Sequence, residues 1–335
     1  MKKATIKDVA REAGVSVATV SRVFNNSTLV VDDTRTKVVH IADQLRYSPD
    51  PIARSLSRNR TDAVGLLLPD LHGEFFSEVI RGVDQVVQAN KKHLLVSSSH
   101  NERDEIEAAL RMMRGRVDGI IIMSPGIDAE TLLQNVSKNL PIVLLNCYVQ
   151  DSQFDSINID NYGGAYESVQ HLIRHAHSRI AIIKGTENNY DSSLRLKGYR
   201  QALLDNDIPL HPAYELTGDF TEAAGAIAAK AIIAMQERPT AVFAANDAMA
   251  IGAIGALREL GIRIPDDIAI AGFDDIPIAR SIMPGLTSVH TSISELGMLA
   301  MNRLIIAIDK KEEHQRQQTI IRTTLVVRES CGSHV

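Results

Sequence analysis

Apolar residues in the first 45 positions recur at helical spacing. Ile6, Val9, Ala10 and Ala13 stand at i, i+3, i+4 and i+7, one face of a helix. Thr5 precedes it, and Asp8 three residues on completes a capping box. Gly14 follows, where a helix end calls for a residue free to take positive φ. Ser16 then caps a second helix with Val20, Val23 and Phe24 inside and Val17, Ala18, Ser21, Arg22 and Asn25 outside. A third helix is predicted to start near 32–34, with Val38, Ile41, Ala42 and Leu45 as its apolar stripe. Three such helices close a small core that is only marginally stable alone.

The pattern breaks at 47–61. Pro49 and Pro51 end the third helix; Asp50 can cap a further one, with Pro51 at its first position. That helix has about two turns, too few to persist alone in water, so it needs a partner helix or DNA to hold it.

From Ala63 the period changes. Strand-like apolar runs at 63–68, 93–97, 119–123, 142–145, 156–159, 179–184, 241–245, 268–273 and 287–290 alternate with helical segments at 76–89, 102–113, 162–175, 192–204, 222–235 and 248–260. A final helix at 293–308 and a strand at 320–327 follow. This order predicts parallel sheets covered by helices on both faces. The strands are too many for one small sheet, so the fold class is α/β: a small all-α head of three helices, the first two around a tight turn, then two Rossmann-like lobes. The expected boundaries are 1–47 for the head, 48–61 for the linker and 62–335 for the core. Lobe one takes about 62–160 plus 291–320, and lobe two about 161–290 plus 321–330.

Ligands of open α/β sheets bind beyond the carboxyl ends of the strands. The loops there carry Asp70, Phe75 and Phe76, then Ser98 to Asn101, and Asn146-Cys147-Tyr148 in the first lobe. In the second they carry the stretch 185–195 ending at Arg195, Asp219-Phe220, Asn246-Asp247 and Asp274-Asp275. Carboxylates and amides bridge hydroxyls, a guanidinium donates as a fork, and rings cover a C–H face, which suits a hydroxyl-rich guest.

Charge separates the two parts. Residues 1–60 hold eleven Lys/Arg against six Asp/Glu, whereas the whole chain carries −5. A basic head on an acidic body suits a head that meets phosphates. The small, polar or cationic outer face of the second helix is what a helix lying in a DNA major groove requires. Two cysteines, Cys147 and Cys331, are too few for a disulfide framework and fit a reducing compartment. Met1 to Asp8 has no apolar core of a secretory signal, and the longest apolar runs are far too short to span a bilayer. A cytoplasmic protein is expected.

Rival functions find little support. An enzyme would show a glycine-rich phosphate or dinucleotide motif or a His-Glu-x-x-His, and the chain has none. His171, His175 and His177 are poorly placed as a metal set, since His177 falls in the turn, and Cys147 has no evident base partner. A sugar-binding transport protein would need a signal peptide and no such head. No cofactor and no metal are expected.

The residues resemble the lactose/galactose repressor (LacI/GalR) family of bacterial transcription regulators. The head from Ala4 to Asn25, the segment Tyr47-Ser48-Pro49 with Ala53-Arg54-Ser55-Leu56, Pro69-Asp70 with Phe75-Phe76, Arg116 to Ile120, Gly198-Tyr199, Pro239 to Gly252 and Ile270 to Asp274 carry the likeness, in order along nearly the whole chain. The resemblance implies a helix-turn-helix head on a core like type I periplasmic sugar-binding proteins, a homodimer and a pseudo-palindromic double-stranded operator. By the same analogy Val17, Ala18 and Arg22 would read base edges, while Thr5, Ser16, Thr19, Ser21 and Asn25 would mainly hold phosphates. Ala53 belongs to the hinge motif, and Leu56 of each subunit would wedge at a central base step. Effector contacts would fall on Phe76 with Phe75 nearby and on Arg195, Asn246 and Asp274, with Asp70, Phe220 and Asp247 as further candidates and Asn146 at the end of the fourth strand. The combination of Arg195, Asn246 and Asp274 is more like sugar-responsive members than the purine-responsive one; a nucleobase, nucleoside or phosphometabolite is the alternative effector.

Three departures stand out. Many sugar-type relatives have Asp-Arg where this chain has Asn146-Cys147. Ala176, between His175 and His177, replaces the usual glycine, so either it takes a positive φ or the turn is built differently. No leucine-rich tail follows Arg328-Glu329-Ser330, so a dimer is expected rather than a tetramer.

Overall fold

A computed structural model describes residues 4–25, 29–48, 60–125, 127–137, 139–149, 154–310 and 314–332. The chain forms two compact units that divide between Asp62 and Ala63.

The first unit contains α1 (Ile6–Ala13), α2 (Val17–Phe24) and α3 (Asp32–Gln44). The Asp8 carboxylate receives both the Thr5 amide, at 3.0 Å, and the Thr5 hydroxyl, at 2.7 Å. Gly14 ends α1 at φ 64°, and Ser16 Oγ accepts from the Thr19 amide at 3.0 Å to start α2. Val9, Ala10, Ala13, Val20, Val23, Val30, Val38, Ile41 and Ala42 form the core. Leu45, expected to extend the α3 stripe, is exposed. The helix has already ended at Gln44, and Tyr47, edge-on to Phe24 at 5.7 Å, packs against the core instead. The hinge segment with Ala53 and Leu56 lies outside the described residues.

The second unit holds, among the described residues, two six-stranded sheets. The first orders β11 (Gln318–Ile321), β5 (Asp155–Ile159), β4 (Ile142–Leu145), β3 (Ile120–Met123), β1 (Ala63–Leu68) and β2 (His93–Ser98), all parallel. The second orders β12 (Thr324–Val326), β10 (Thr287–His290), β9 (Ala269–Asp274), β8 (Ala241–Ala244), β6 (Ile180–Ile183) and β7 (Glu215–Leu216), with only β12 antiparallel. The central strands are buried along their length, as parallel strands between two helical layers must be. Helices α4 (Glu74–Ala89), α5 (Arg103–Met113), α6 (Ala129–Asn135) and α11 (Ile293–Asp309) accompany the first sheet; α7 (Asn161–Arg174), α8 (Tyr190–Leu204), α9 (Glu222–Ala234) and α10 (Asp247–Glu259) accompany the second. Among the described residues no helix is long and apolar enough to cross a membrane.

The strand expected over 320–327 is in fact two. β11 pairs with β5, the chain crosses at Arg322 and Thr323, and β12 pairs with β10 in the other sheet. β-branched and apolar residues stand on both sides of the crossing, and they mark extended backbone, not the identity of the hydrogen-bond partner. The chain passes between lobes twice more, after β5 and after β10. The first of these is tied to the crossing at Arg322 and Thr323: Asp160 N–H donates to the Ile321 carbonyl at 3.0 Å, and Thr323 Oγ1 donates to the Asp160 carbonyl at 3.4 Å. Thr291 Oγ1, after β10, donates to the carbonyl of Asp274 at the end of β9 at 3.2 Å.

Ala176 takes φ 64° beyond the end of α7, with its amide donating to the Ile173 carbonyl at 2.9 Å. A side chain in this left-handed turn is strained. Ala176→Gly should therefore stabilise the core by up to about 1 kcal/mol, a rise of a few degrees in melting temperature. A melting temperature that stays put or falls would show that the turn carries no such strain.

Candidate functional site: an interlobe polar network and an exposed helix face

Side chains beyond the carboxyl ends of strands in both sheets meet in one network: Tyr148 and Asn161 follow β4 and β5, Ala245 follows β8 and Asp274 ends β9. Its centre is Arg195, one turn into α8 and only 4% exposed. The Asn189 side chain accepts from the Ser192 amide at 2.9 Å and fixes the start of α8. Arg195 Nε donates to Asn161 Oδ1 at 2.8 Å, Nη1 donates to the Ala245 carbonyl, and Nη2 lies 3.3 Å from Asp274 Oδ1. The guanidinium carbon sits 3.7 Å above the centre of the Phe273 ring, a cation–π contact that covers its remaining face. Asn161 Nδ2 in turn donates to Asp191 Oδ1 at 2.8 Å and lies 3.1 Å from the Tyr148 hydroxyl. Tyr148, from the first lobe, places its ring 4.0 Å from Tyr190 of the second. Glu74 adds another link between lobes by accepting from the Ile278 amide at 2.9 Å.

Two buried carboxylates thus share one buried guanidinium. Burial pushes the Asp274 carboxyl up to about 7; Arg195 pulls it down and the Asp191 charge pushes it up. Burial also raises Asp191 to about 6, against the pull of Arg195 and of hydrogen bonds from Tyr148 and Asn161. Asp274 holds φ 108°, and among the described residues no donor is aligned on its Oδ1. A group that donates hydrogen bonds is what this oxygen lacks.

The other candidates surround this network with their own capacity largely used. Asn246 caps α10, accepting from the Met249 amide at 3.0 Å and donating to the Phe220 carbonyl at 3.0 Å. Asp247 is fully buried, accepts from Ser288 Oγ at 2.5 Å and from the Ile276 amide at 2.9 Å, and is pushed well above the usual carboxylate range by burial. Asn146, at φ 45°, accepts from the Ile159 amide at 3.0 Å and staples β4 to β5. Asp70 accepts from the amides of Leu71, at 2.6 Å, and His72, at 3.0 Å, which hold its carboxyl below the usual range. Phe75 and Phe76 stand edge to face at 5.4 Å, half-buried. Phe220, at φ 71°, lays its ring on Gly185, where a Cβ would come within 2.0 Å of it.

Asn161 and Asp191 have no counterpart among the candidates chosen from sequence. Asn161 follows a capping aspartate and Asp191 is a first-turn acid, so both read as helix-start residues. The available signal was their company: Asp191 lies in the stretch that ends at Arg195, four residues on and one turn away.

Cys147 is buried, accepts from the Ser124 amide at 3.2 Å, and burial pushes its thiol up to about 12, so at neutral pH it is no nucleophile. His171 Nε2 lies 3.2 Å from Cys331 Sγ, while His177 Nδ1 is paired with Thr240 Oγ1 at 3.0 Å. No group of three metal-ligating side chains occurs among the described residues.

On the head, α2 presents Val17, Ala18 and Arg22 to solvent while Val20 and Val23 are buried. Ser16 Oγ is 2.9 Å from Thr19 Oγ1, and Asn25 Nδ2 donates to Ser21 Oγ at 3.4 Å; Ser21 and Asn25 are half-buried. Thr5 is exposed at the start of α1.

Residues 5–50 match the family model described as bacterial regulatory proteins, lacI family, and residues 169–331 match a periplasmic binding protein-like domain. The HTH-type transcriptional repressor PurR of Erwinia tasmaniensis is 38% identical over 333 residues, covering 98% of this chain and 97% of that protein. The chain belongs to the LacI family. Solved structures of the family agree with this core and head. The transcriptional regulator CelR in complex with cellobiose is 30% identical, with a TM-score of 0.72 over 98% of this chain and 99% of that one. The lac repressor dimer bound to operator and the anti-inducer ONPF is 27% identical, with a TM-score of 0.85 over the same shares. This LacI-family chain is therefore a DNA-binding transcriptional regulator of mixed α/β fold with a helical head.

Proposed function

We propose that the protein is a cytoplasmic repressor, not an enzyme, that binds a pseudo-palindromic operator as a homodimer and changes its operator affinity when a sugar or sugar derivative enters the crevice between the core lobes. Residues 1–47 read the DNA, 48–61 link, and 62–335 bind effector and dimerise. The observation that carries this reading is the Arg195 network, which joins both lobes through Tyr148, Asn161 and Asp191 and leaves the buried Asp274 Oδ1 without an aligned hydrogen bond. A ligand that engages these groups in only one arrangement of the lobes shifts the balance between arrangements by its differential affinity. On the head, Val17, Ala18 and Arg22 read base edges, and Ser16, Thr19, Ser21, Asn25 and Thr5 hold phosphates. The CelR complex supports a carbohydrate, and the lac repressor complex supports a dimer on two half-sites.

The test begins with an operator selected from a randomised duplex library, which should be two-fold symmetric. A screen of sugars, sugar phosphates, nucleosides and nucleobases by thermal shift then finds the effector. Asp274→Asn should bind that operator within about twofold of wild type and lose the effector response. A variant that still responds normally removes Asp274 from the site.

A further inference from the structure

We infer that the crevice selects an effector that donates hydrogen bonds and carries no negative charge, and that Asp191 is the residue that sets this preference. The inference rests on the ligand reading above and sharpens it.

The main guanidinium and amide donors of the cluster are turned to partners inside the fold. Arg195 directs Nε to Asn161 Oδ1, Nη1 to the Ala245 carbonyl and Nη2 towards Asp274. Asn161 Nδ2 is turned to Asp191, and Asn246 Nδ2 to the Phe220 carbonyl. Carboxylates outnumber cations: Asp274 Oδ1 is buried 3.3 Å from Arg195 Nη2 without an aligned hydrogen bond, and Asp191 holds a second carboxylate one hydrogen bond beyond Asn161. The charges point the same way. Two carboxylates, 5% and 8% exposed as residues, face one guanidinium. With both acids ionised, as they are above about pH 7, Arg195 balances one of them and the other leaves the cluster negative. A phosphate or carboxylate ligand entering here would meet a spent guanidinium and an uncompensated negative charge in a poorly screened site. Hydroxyls of a polyol, or an ammonium group on one, meet the acceptors they need. The paired rings of Tyr148 and Tyr190 beside Asp191 offer an apolar flank for the C–H face of such a ring.

Titration calorimetry on the full-length protein tests this with matched probes: glucose, glucosamine and glucose 6-phosphate; ribose and ribose 5-phosphate; adenosine and AMP. In every set with a binding member, the phosphorylated probe should bind at least about tenfold more weakly than its neutral partner. Asp191→Asn keeps an acceptor for Asn161 and removes the charge, so the ratio should shrink several-fold. Asp191→Ser serves as the second variant, and a melting curve shows that each is folded. A phosphorylated probe that binds as well as its neutral partner, or a ratio unchanged in both folded Asp191 variants, overturns the inference while leaving the ligand reading intact. No heat from any probe overturns the ligand reading itself.

Discussion

Replacing Arg195 with alanine should destabilise the core unit by about 3–5 kcal/mol, because a buried ion cluster that loses its only cation leaves its carboxylates without compensation. In the wild type Asp274 and Asp191 already sit near 7 and 6, far above an unfolded aspartate. The folded state therefore holds more protons than the unfolded one between about pH 4 and 7. Stability from these two groups is present at low pH and is lost as pH rises through their folded values. Removing Arg195, which lowers both, moves the loss to higher pH and steepens it. Asp247, raised by burial, contributes with the same sign. His177, lowered by burial, opposes it below about pH 6.5, and its contribution is common to wild type and variant. Urea denaturation at pH 6.5 to 8 should give an Arg195→Ala variant whose deficit grows with pH. A deficit that is small and flat with pH would mean that the two acids are not held charged by this guanidinium.

Arg22→Ala should weaken operator binding by orders of magnitude. Arg22 is exposed on the same side of α2 as Val17 and Ala18, and a bidentate arginine–guanine contact carries about 1–3 kcal/mol of discrimination. A two-fold symmetric complex loses that contact twice, so the expected cost is about 2–6 kcal/mol, or roughly 30-fold to more than 10⁴-fold. The loss should be largest on the selected operator and small on a scrambled duplex, which separates base reading from phosphate contact. Equal weakening on both duplexes would reassign Arg22 to the backbone.

The head was legible because its signals are local. Thr5 with Asp8, Gly14 and Ser16 act within four residues of themselves, and the structure realises each cap as expected. The central strands of the core were legible for the same reason, since a parallel strand buried on both faces reads as an unbroken apolar run. The short β7 and α6 were not, because two residues of strand and two turns of helix carry too little periodicity. Leu45 misled because periodicity does not show where the last turn ends.

For the crevice, sequence and tertiary structure divide the work by distance along the chain. The sequence by itself determined which residue types stand at the strand ends, that the head is basic and its second helix presents a small polar face, and that two parallel lobes meet. Tertiary structure decided which of those polar groups have bonding capacity left. Asn246, Asp247 and Asn146 spend much of theirs inside the fold, whereas Asn161 and Asp191 join Arg195 and Asp274 in one cluster. The pairs that settle this are 30, 34 and 50 residues apart, Asn161 with Asp191, Arg195 with Asn161, and Arg195 with Ala245. Periodicity and capping report on neighbours within a turn or two. A buried donor or acceptor is satisfied by whatever the packed fold brings to it, and burial then sets the charge it can carry.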